Sequence, residues 1–265
     1  GNTISMVEHE GNSVKKFSSI LITGASSGIG EALAENLAGP GIFLALCARN
    51  DERLQGVAER CRAQGAQVID QVIDVTDQSA IKAWIEDIDE AHPLDLLIAN
   101  AGVSPGTSGE ADTASQSRRM METNVGGVFN TVEPIITKMV ARQSGTIGLV
   151  SSLAGFRGLP SAPGYGASKA WVRSYGEGLR GRLYPDDISV SVICPGFVAS
   201  RITDQNNFKM PMFMTAPRAA RIILKGLANG KARIAFPMPM YALVWILTFL
   251  PLWLTDGILR RLPKK

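Results

Sequence analysis

Apolar residues fall along this chain in short dense runs, and between those runs the apolar positions recur at helical spacing. Seven runs have the length and composition of strands: Ser19–Thr23, Ile42–Ala48, Val68–Asp74, Leu94–Asn100, Gly145–Ser151, Ser189–Cys194 and Arg233–Phe236. Most are apolar almost throughout, as expected of strands covered on both faces. Helix-like stretches such as Glu31–Ala38 separate them. The repeated order of strand, helix and strand predicts an α/β fold, a parallel sheet with helices on both faces. No internal repeat or low-complexity tract interrupts the alternation. A chain of 265 residues is long enough for one such domain with a sizeable core.

Composition narrows the functional classes. The net charge of +3 is small, and no basic cluster is interleaved with aromatics, so we expect no nucleic-acid partner. Cys47, Cys61 and Cys194 are an odd number, and two of them lie in predicted strands. They read as buried thiols of a reducing, cytoplasmic compartment. His9 and His92 have no metal-ligand spacing with each other or with the cysteines, so no metal is expected. The first residues are polar and lack the apolar core of a signal peptide.

Two motifs carry chemistry. Thr23-Gly24-Ala25-Ser26-Ser27-Gly28-Ile29-Gly30 follows the first strand and opens the first helix. A glycine-rich turn in that position lets the backbone approach a pyrophosphate, and the free N–H groups at the helix start attract it. The second motif is Tyr165-Gly166-Ala167-Ser168-Lys169, with Ser152 thirteen positions before the tyrosine. On a helix, Tyr165 and Lys169 lie one turn apart on one face. The ammonium is expected to favour the phenolate and so lower the tyrosine pKa, tuning it for proton exchange with an alcohol oxygen.

Other segments follow in order: Asp74-Val75-Thr76-Asp77, Asn100-Ala101-Gly102, Asn124-Val125-Gly126-Gly127, Ser151-Ser152, and Pro195-Gly196-Phe197-Val198-Ala199-Ser200. Together with the two motifs they resemble the short-chain dehydrogenase/reductase family, nearly throughout the chain up to about Phe236. Ala99 stands where that family often has an asparagine, and Ser200 where a threonine is usual. The resemblance implies a single Rossmann-type doubly wound domain with a seven-stranded parallel sheet and a hydrophobic C-terminal extension. We expect a flexible extension over residues 1–15, the dinucleotide-binding and catalytic domain over 16–236, and the hydrophobic tail over 237–265.

The chemistry expected is hydride transfer between NADP(H) and a carbonyl/alcohol pair. Tyr165 would be the general acid for reduction, Ser152 would polarise the carbonyl, and Lys169 would hold the nicotinamide ribose. Ser151 is the weaker candidate for the serine role. The resemblance gives Asn124 a place in a proton relay through water. It also implies a cofactor site built from Gly24, Ser26, Ser27, Gly28, Ile29 and Gly30. Asp74 and Val75 would flank the adenine, Asn100, Ala101 and Gly102 would line the adenosine side, and Pro195, Gly196, Val198 and Ser200 would lie toward the nicotinamide. An NAD-selective site ends its second strand on an acid, whereas here Ala48 is followed by Arg49. A guanidinium grips phosphate in a bidentate way, which favours NADP(H). The alternative is a non-catalytic dinucleotide-binding scaffold, for which a tuned phenol would be superfluous.

Two segments bear on partners. Phe197–Ala216 carries Phe208, Met210, Met212, Phe213 and Met214, which suit a lid over a lipophilic substrate or, equally, packing on the core or a second subunit. From Phe236 to Leu254 nearly every residue is apolar, but Pro237, Pro239 and Pro251 leave only Met240–Leu250 uninterrupted. Three readings stay open for this tail: peripheral contact with a membrane, a subunit-contact or pocket-covering helix, and a true span. By the resemblance, the chain would be a homodimer joined through the helices that carry Asn124 and Tyr165.

Overall fold

The computed structural model of the chain describes residues 14–105, 114–158, 160–199 and 212–259. Among these, seven strands form one parallel sheet: β1 (Ser19–Thr23), β2 (Phe43–Ala48), β3 (Gln67–Val72), β4 (Leu96–Ala99), β5 (Gly145–Val150), β6 (Ile188–Pro195) and β7 (Arg233–Phe236), in the order β3-β2-β1-β4-β5-β6-β7. In register, Ile20 of β1 lies between Leu44 of β2 and Leu96 of β4.

Strand side chains alternate between two apolar cores. On one face Ile20, Ile22, Leu44 and Leu46 meet helices α1 (Gly28–Leu37), α2 (Asp51–Ala63) and α7 (Ala216–Ala228). On the other, Leu21, Ala45, Leu97 and Leu149 meet α3 (Gln78–Ala91), α5 (Gly127–Ala141) and α6 (Pro163–Leu183). The remaining described α-helices are α4 (Ala114–Met121), α8 (Met238–Phe249) and α9 (Leu252–Leu259). Full coverage explains why β2 is buried at every position, while the edge strand β3 leaves Ile69 and Val72 exposed.

Four strands are shorter than the apolar runs predict: β2 and β5 by one residue each, and β3 and β4 because side chains claim the backbone. β3 stops at Val72 because the next residues enter a turn in which Asp74 accepts from the Thr76 N–H (3.0 Å) and hydroxyl (2.8 Å). Leu94 lies outside β4 because its N–H is taken by the Asp89 carboxylate at 2.8 Å. Helix starts follow ordinary capping chemistry at Asn50, which accepts from Arg53 N–H, and at Asp77, which accepts from Ala80 N–H, each at 3.0 Å. Ser27, at the start of α1, makes no such side-chain cap.

Candidate active site

Strand order reverses between β1 and β4, and in a doubly wound sheet the crevice at the carboxyl ends of such strands receives ligands. The loops leaving these two strands touch through backbone. Gly24 has φ +66°, and a Cβ there would stand 2.7 Å from the Ala101 Cα. A Cβ on Gly30 would stand 2.3 Å from the Gly24 carbonyl oxygen and 2.6 Å from Asn100 Nδ2. Glycine is therefore required at both positions. Asn100 Nδ2 donates to the carbonyls of Thr23 (3.0 Å) and Gly24 (3.1 Å), and Thr23 Oγ1 accepts the N–H groups of Asn100 and Ala101, both at 3.1 Å. Ile29 turns into the core beneath. Ser26, Ser27 and Gly28 face a cleft of about 720 Å³ that Glu31, Arg53 and Ala199 also line.

Beyond β5, the two serines separate in function. Ser151 is buried, and its hydroxyl donates to the Lys169 carbonyl at 2.7 Å, fastening α6 to the sheet. The Ser152 hydroxyl accepts from Ala154 N–H (3.1 Å), reaches the Pro195 carbonyl at 3.5 Å, and hydrogen-bonds the Tyr165 phenol. Lys169 is buried one turn along α6, with Nζ donating to the Val150 carbonyl at 2.9 Å and lying 5.9 Å from the Tyr165 ring centre. A Cβ on Gly102 would stand 3.1 Å from Asn124 Oδ1 and 3.3 Å from Lys169 Nζ, so this glycine keeps open the space between them.

Asn124 lies in a π turn, Glu122–Gly126, between α4 and α5. Such turns break the regular helix ladder and recur at functional sites. Its carboxamide is buried and clamps Val103 from both sides, accepting from the N–H (2.7 Å) and donating to the carbonyl (2.9 Å). It also donates to Ser168 Oγ at 2.9 Å, and Ser168 in turn donates to the Tyr165 carbonyl at 2.8 Å. The side chain thus couples the loop after β4 to the helix that bears Tyr165.

Electrostatics correct one expectation. The Tyr165 phenol is raised above its ordinary 10, not lowered, because burial disfavours the phenolate more than the Ser152 hydrogen bond favours it. The residue as a whole is only half-buried, but its hydroxyl end lies among packed atoms and sets the titration. Burial also pulls the Lys169 ammonium from 10.5 down to about 8, partly offset by Cys194. The two groups share one dry environment, and drying is the leading cause of both shifts.

At the far end of the crevice, Arg49 follows β2 and lies 3.7 Å from Asp74, both exposed. Val75 is buried, and its side chain occupies the space a Cβ on Gly127 would need. Near β6, Gly196 N–H donates to the Phe236 carbonyl at 2.8 Å, and Val198 pairs with Met214. Ser200, Phe208 and Met210 lie outside the described residues. Sequence reasoning missed Thr23, Ser168 and the Val150 carbonyl as parts of this site. A signal exists for Thr23, a hydroxyl ending an apolar strand, whereas a carbonyl carries none.

The sequence profile of the short chain dehydrogenase family matches residues 18–210. The chain is 38% identical over 243 residues to a Myxococcus xanthus protein described as an uncharacterized oxidoreductase, covering 91% of this chain and 96% of that one. It is 31% identical over 242 residues to the Arabidopsis thaliana protein 11-beta-hydroxysteroid dehydrogenase-like 4A, covering 88% and 80%. A solved short-chain dehydrogenase from Sphingobium yanoikuyae, in complex with NADPH, superposes with a TM-score of 0.76 at 27% identity, over 93% of this chain and 97% of that one.

Proposed function

The chain belongs to the short-chain dehydrogenase family, and on that footing we propose that it is an NADP(H)-dependent oxidoreductase interconverting a lipophilic carbonyl compound and its alcohol. The observation that carries this is the meeting of Ser152, Tyr165 and Lys169 beside a glycine-walled crevice. The crevice fits a dinucleotide: Gly30 has no room for a side chain, and Ser27 leaves the first N–H groups of α1 without a side-chain partner. Among the described residues Arg49 pairs with Asp74, an exposed contact that contributes little and lets the guanidinium turn to a 2′-phosphate. The NADPH complex of the Sphingobium relative agrees with that choice.

When bound, the cofactor supplies the hydride exchanged with the substrate carbon. The chain's own residues manage the oxygen. Ser152 donates a hydrogen bond to the carbonyl, where negative charge develops. Tyr165, kept protonated by burial, gives its proton to that oxygen in reduction and takes it back in oxidation. Lys169 holds the ribose side of the site, and Asn124 acts as a positioning residue through Val103 and Ser168. The steroid dehydrogenase-like name of the Arabidopsis relative accords with a lipophilic substrate. So do Phe213 and Met212, which are exposed where the segment after β6 returns.

A homodimer through α5 and α6 belongs to the same reading. Trp171 stacks on Tyr175 at 4.8 Å, and Tyr175 meets Phe129, which is exposed on α5. The three cysteines are buried free thiols, in keeping with a cytoplasmic setting.

The test is an initial-rate survey with NADPH and NADH over ketones of increasing chain length, using wild type, Arg49→Ala and Tyr165→Phe. We expect kcat/KM with NADPH to rise with chain length, and Tyr165→Phe to lose about 10²–10⁴ in kcat with NADPH affinity retained. Arg49→Ala should erase the preference for NADPH. Flat rates along the series would remove the lipophilic substrate, and substantial turnover in Tyr165→Phe would remove the acid assignment.

A further inference from the structure

We infer that the hairpin of α8 and α9 is a docking surface for an anionic membrane, set beside the substrate end of the active site. The inner face of α8 is seated: Met240, Tyr241 and Val244 pack on Leu153, Phe156, Val192 and Cys194. A Cβ on Gly196 would lie 3.0 Å from the Met240 sulfur, so the helix rests directly on the turn after β6. Arg157 fastens the hairpin by donating to the Leu250 carbonyl (3.4 Å) and to the buried Thr255 hydroxyl.

The outer face is apolar and exposed. It presents Leu243, Trp245, Ile246, Phe249 (69% exposed), Leu252 and Trp253 (77% exposed). A contiguous patch of such side chains is uncommon on a protein surface with no partner. Between Ile234 and Thr255 there is no charged residue at all. No helix among the described residues is long and apolar enough to cross a membrane. Its twelve residues make α8 about 18 Å long, against a hydrocarbon core of roughly 30 Å. An apolar face with two tryptophans and insufficient length suits the interfacial layer of a bilayer.

Charge decides between a membrane and a second copy. After Thr255 the sequence has one acid, Asp256, and four cations, Arg260, Arg261, Lys264 and Lys265. Cations that follow an apolar segment directly in sequence complement anionic headgroups. A second copy would bring a sequence segment of the same positive excess, with one acid against four cations. Leu153 and Gly196, on which α8 rests, adjoin Ser152 and Pro195, so docking would turn the substrate side toward the bilayer. The docking itself does not depend on the proposed reaction.

The test reads binding rather than turnover. The full chain is sedimented with vesicles of phosphatidylcholine alone or mixed with phosphatidylglycerol, while tryptophan emission is followed. We expect association with the anionic vesicles, weakened by salt, and a blue shift. Arg260→Gln and Arg261→Gln should each weaken association by about fivefold. The triple variant Phe249→Ser, Leu252→Ser, Trp253→Ser should lose at least roughly tenfold while keeping the wild-type circular dichroism. Failure of wild type to bind anionic vesicles at low salt overturns the inference. So does binding unchanged in the triple variant. A triple variant that sediments as a smaller assembly, with wild type ignoring vesicles, reassigns the face to copy-to-copy contact.

Discussion

Replacing Lys169 with methionine should make the protein more stable at neutral pH while disabling it. The side chain is 5% exposed, and burial pulls its ammonium from 10.5 down to about 8. At about 1.4 kcal/mol per unit, holding that group charged at pH 7 costs the fold about 3 kcal/mol. Methionine fills a similar volume without charge but forfeits the 2.9 Å hydrogen bond to Val150, which returns about 1–2 kcal/mol. The net gain is about 1–2 kcal/mol, or roughly 4 °C in Tm for a chain of this size. The sign carries a pH signature. Because the folded-state value lies below the unfolded one, the unfolded chain keeps a proton between about 8 and 10.5 that the folded protein has released. Wild type therefore gains stability across that interval, and the advantage of Lys169→Met shrinks as pH rises. Burial holds the folded Tyr165 phenol above 10 and the Cys47 and Cys194 thiols up at about 12, so they stay protonated across this interval in both folded proteins, and their unfolded-state titration is common to both. Urea unfolding of both at pH 7, 8.5 and 10 measures it. A variant less stable at pH 7, or a gap that does not change with pH, would refute the argument that burial of this charge costs stability. In the same variant kcat/KM should fall by at least about 10²-fold.

The serines should divide cleanly. Ser152→Ala is expected to lose about 10²–10³ in kcat and about 1 kcal/mol of stability through the Ala154 N–H cap, whereas Ser151→Ala should cost about 1–2 kcal/mol of stability through the lost 2.7 Å bond and keep kcat within a few-fold. The reverse pattern in paired kcat and Tm measurements would transfer the carbonyl-polarising role to Ser151. Asp89, 4% exposed, accepts from both Arg142 nitrogens (2.8 and 2.9 Å) and from Leu94 N–H, so Asp89→Ala should lower unfolding free energy by about 3 kcal/mol, read as a shift in urea midpoint. Since burial raises the Tyr165 phenol above 10, alcohol oxidation should keep accelerating with pH beyond neutrality, while reduction should not fall between pH 6 and 8 for want of the phenolic proton. Rates in both directions across that range check this, and an oxidation rate saturating near pH 7 would contradict it.

The parallel sheet was legible because strands covered on both faces need unbroken apolar runs, as in Phe43–Ala48 and Gly145–Val150. At β3 and β4 a side chain had claimed the backbone: Asp74 turned the chain after Val72, and Asp89 took the Leu94 N–H. The glycine turn and the Tyr165–Lys169 spacing were local patterns and so readable. The direction of the tyrosine shift was not, because it depends on how much water the folded neighbourhood excludes rather than on which charge lies four residues away. Nor could sequence reveal that Asn124 spends its carboxamide on Val103 and Ser168, partners 21 and 44 residues distant. For α8, apolar on all sides, periodicity cannot say which face is seated, and only the contacts of Met240, Tyr241 and Val244 do so.

Those contacts join the tail to the catalytic helix through one aromatic ring. The Phe156 ring lies 4.8 Å from the guanidinium of Arg173 on α6 and 5.3 Å from that of Arg233 on β7, and it meets Tyr241 of α8 edge-on at 5.6 Å. Arg233 donates to the Tyr241 hydroxyl at 3.0 Å and pairs with Glu177 of α6, which also receives Arg173 at 3.3 Å. Cations flanking a desolvated ring hold it more firmly than apolar packing alone. The cluster that Phe156 anchors includes Cys194 at the end of β6 and Leu153, which follows Ser152. The same packing that seats the tail therefore reaches the loop that carries Ser152. The tail and the catalytic loop lean on one wall, in which Met240, Tyr241 and Val244 meet Leu153 and Phe156.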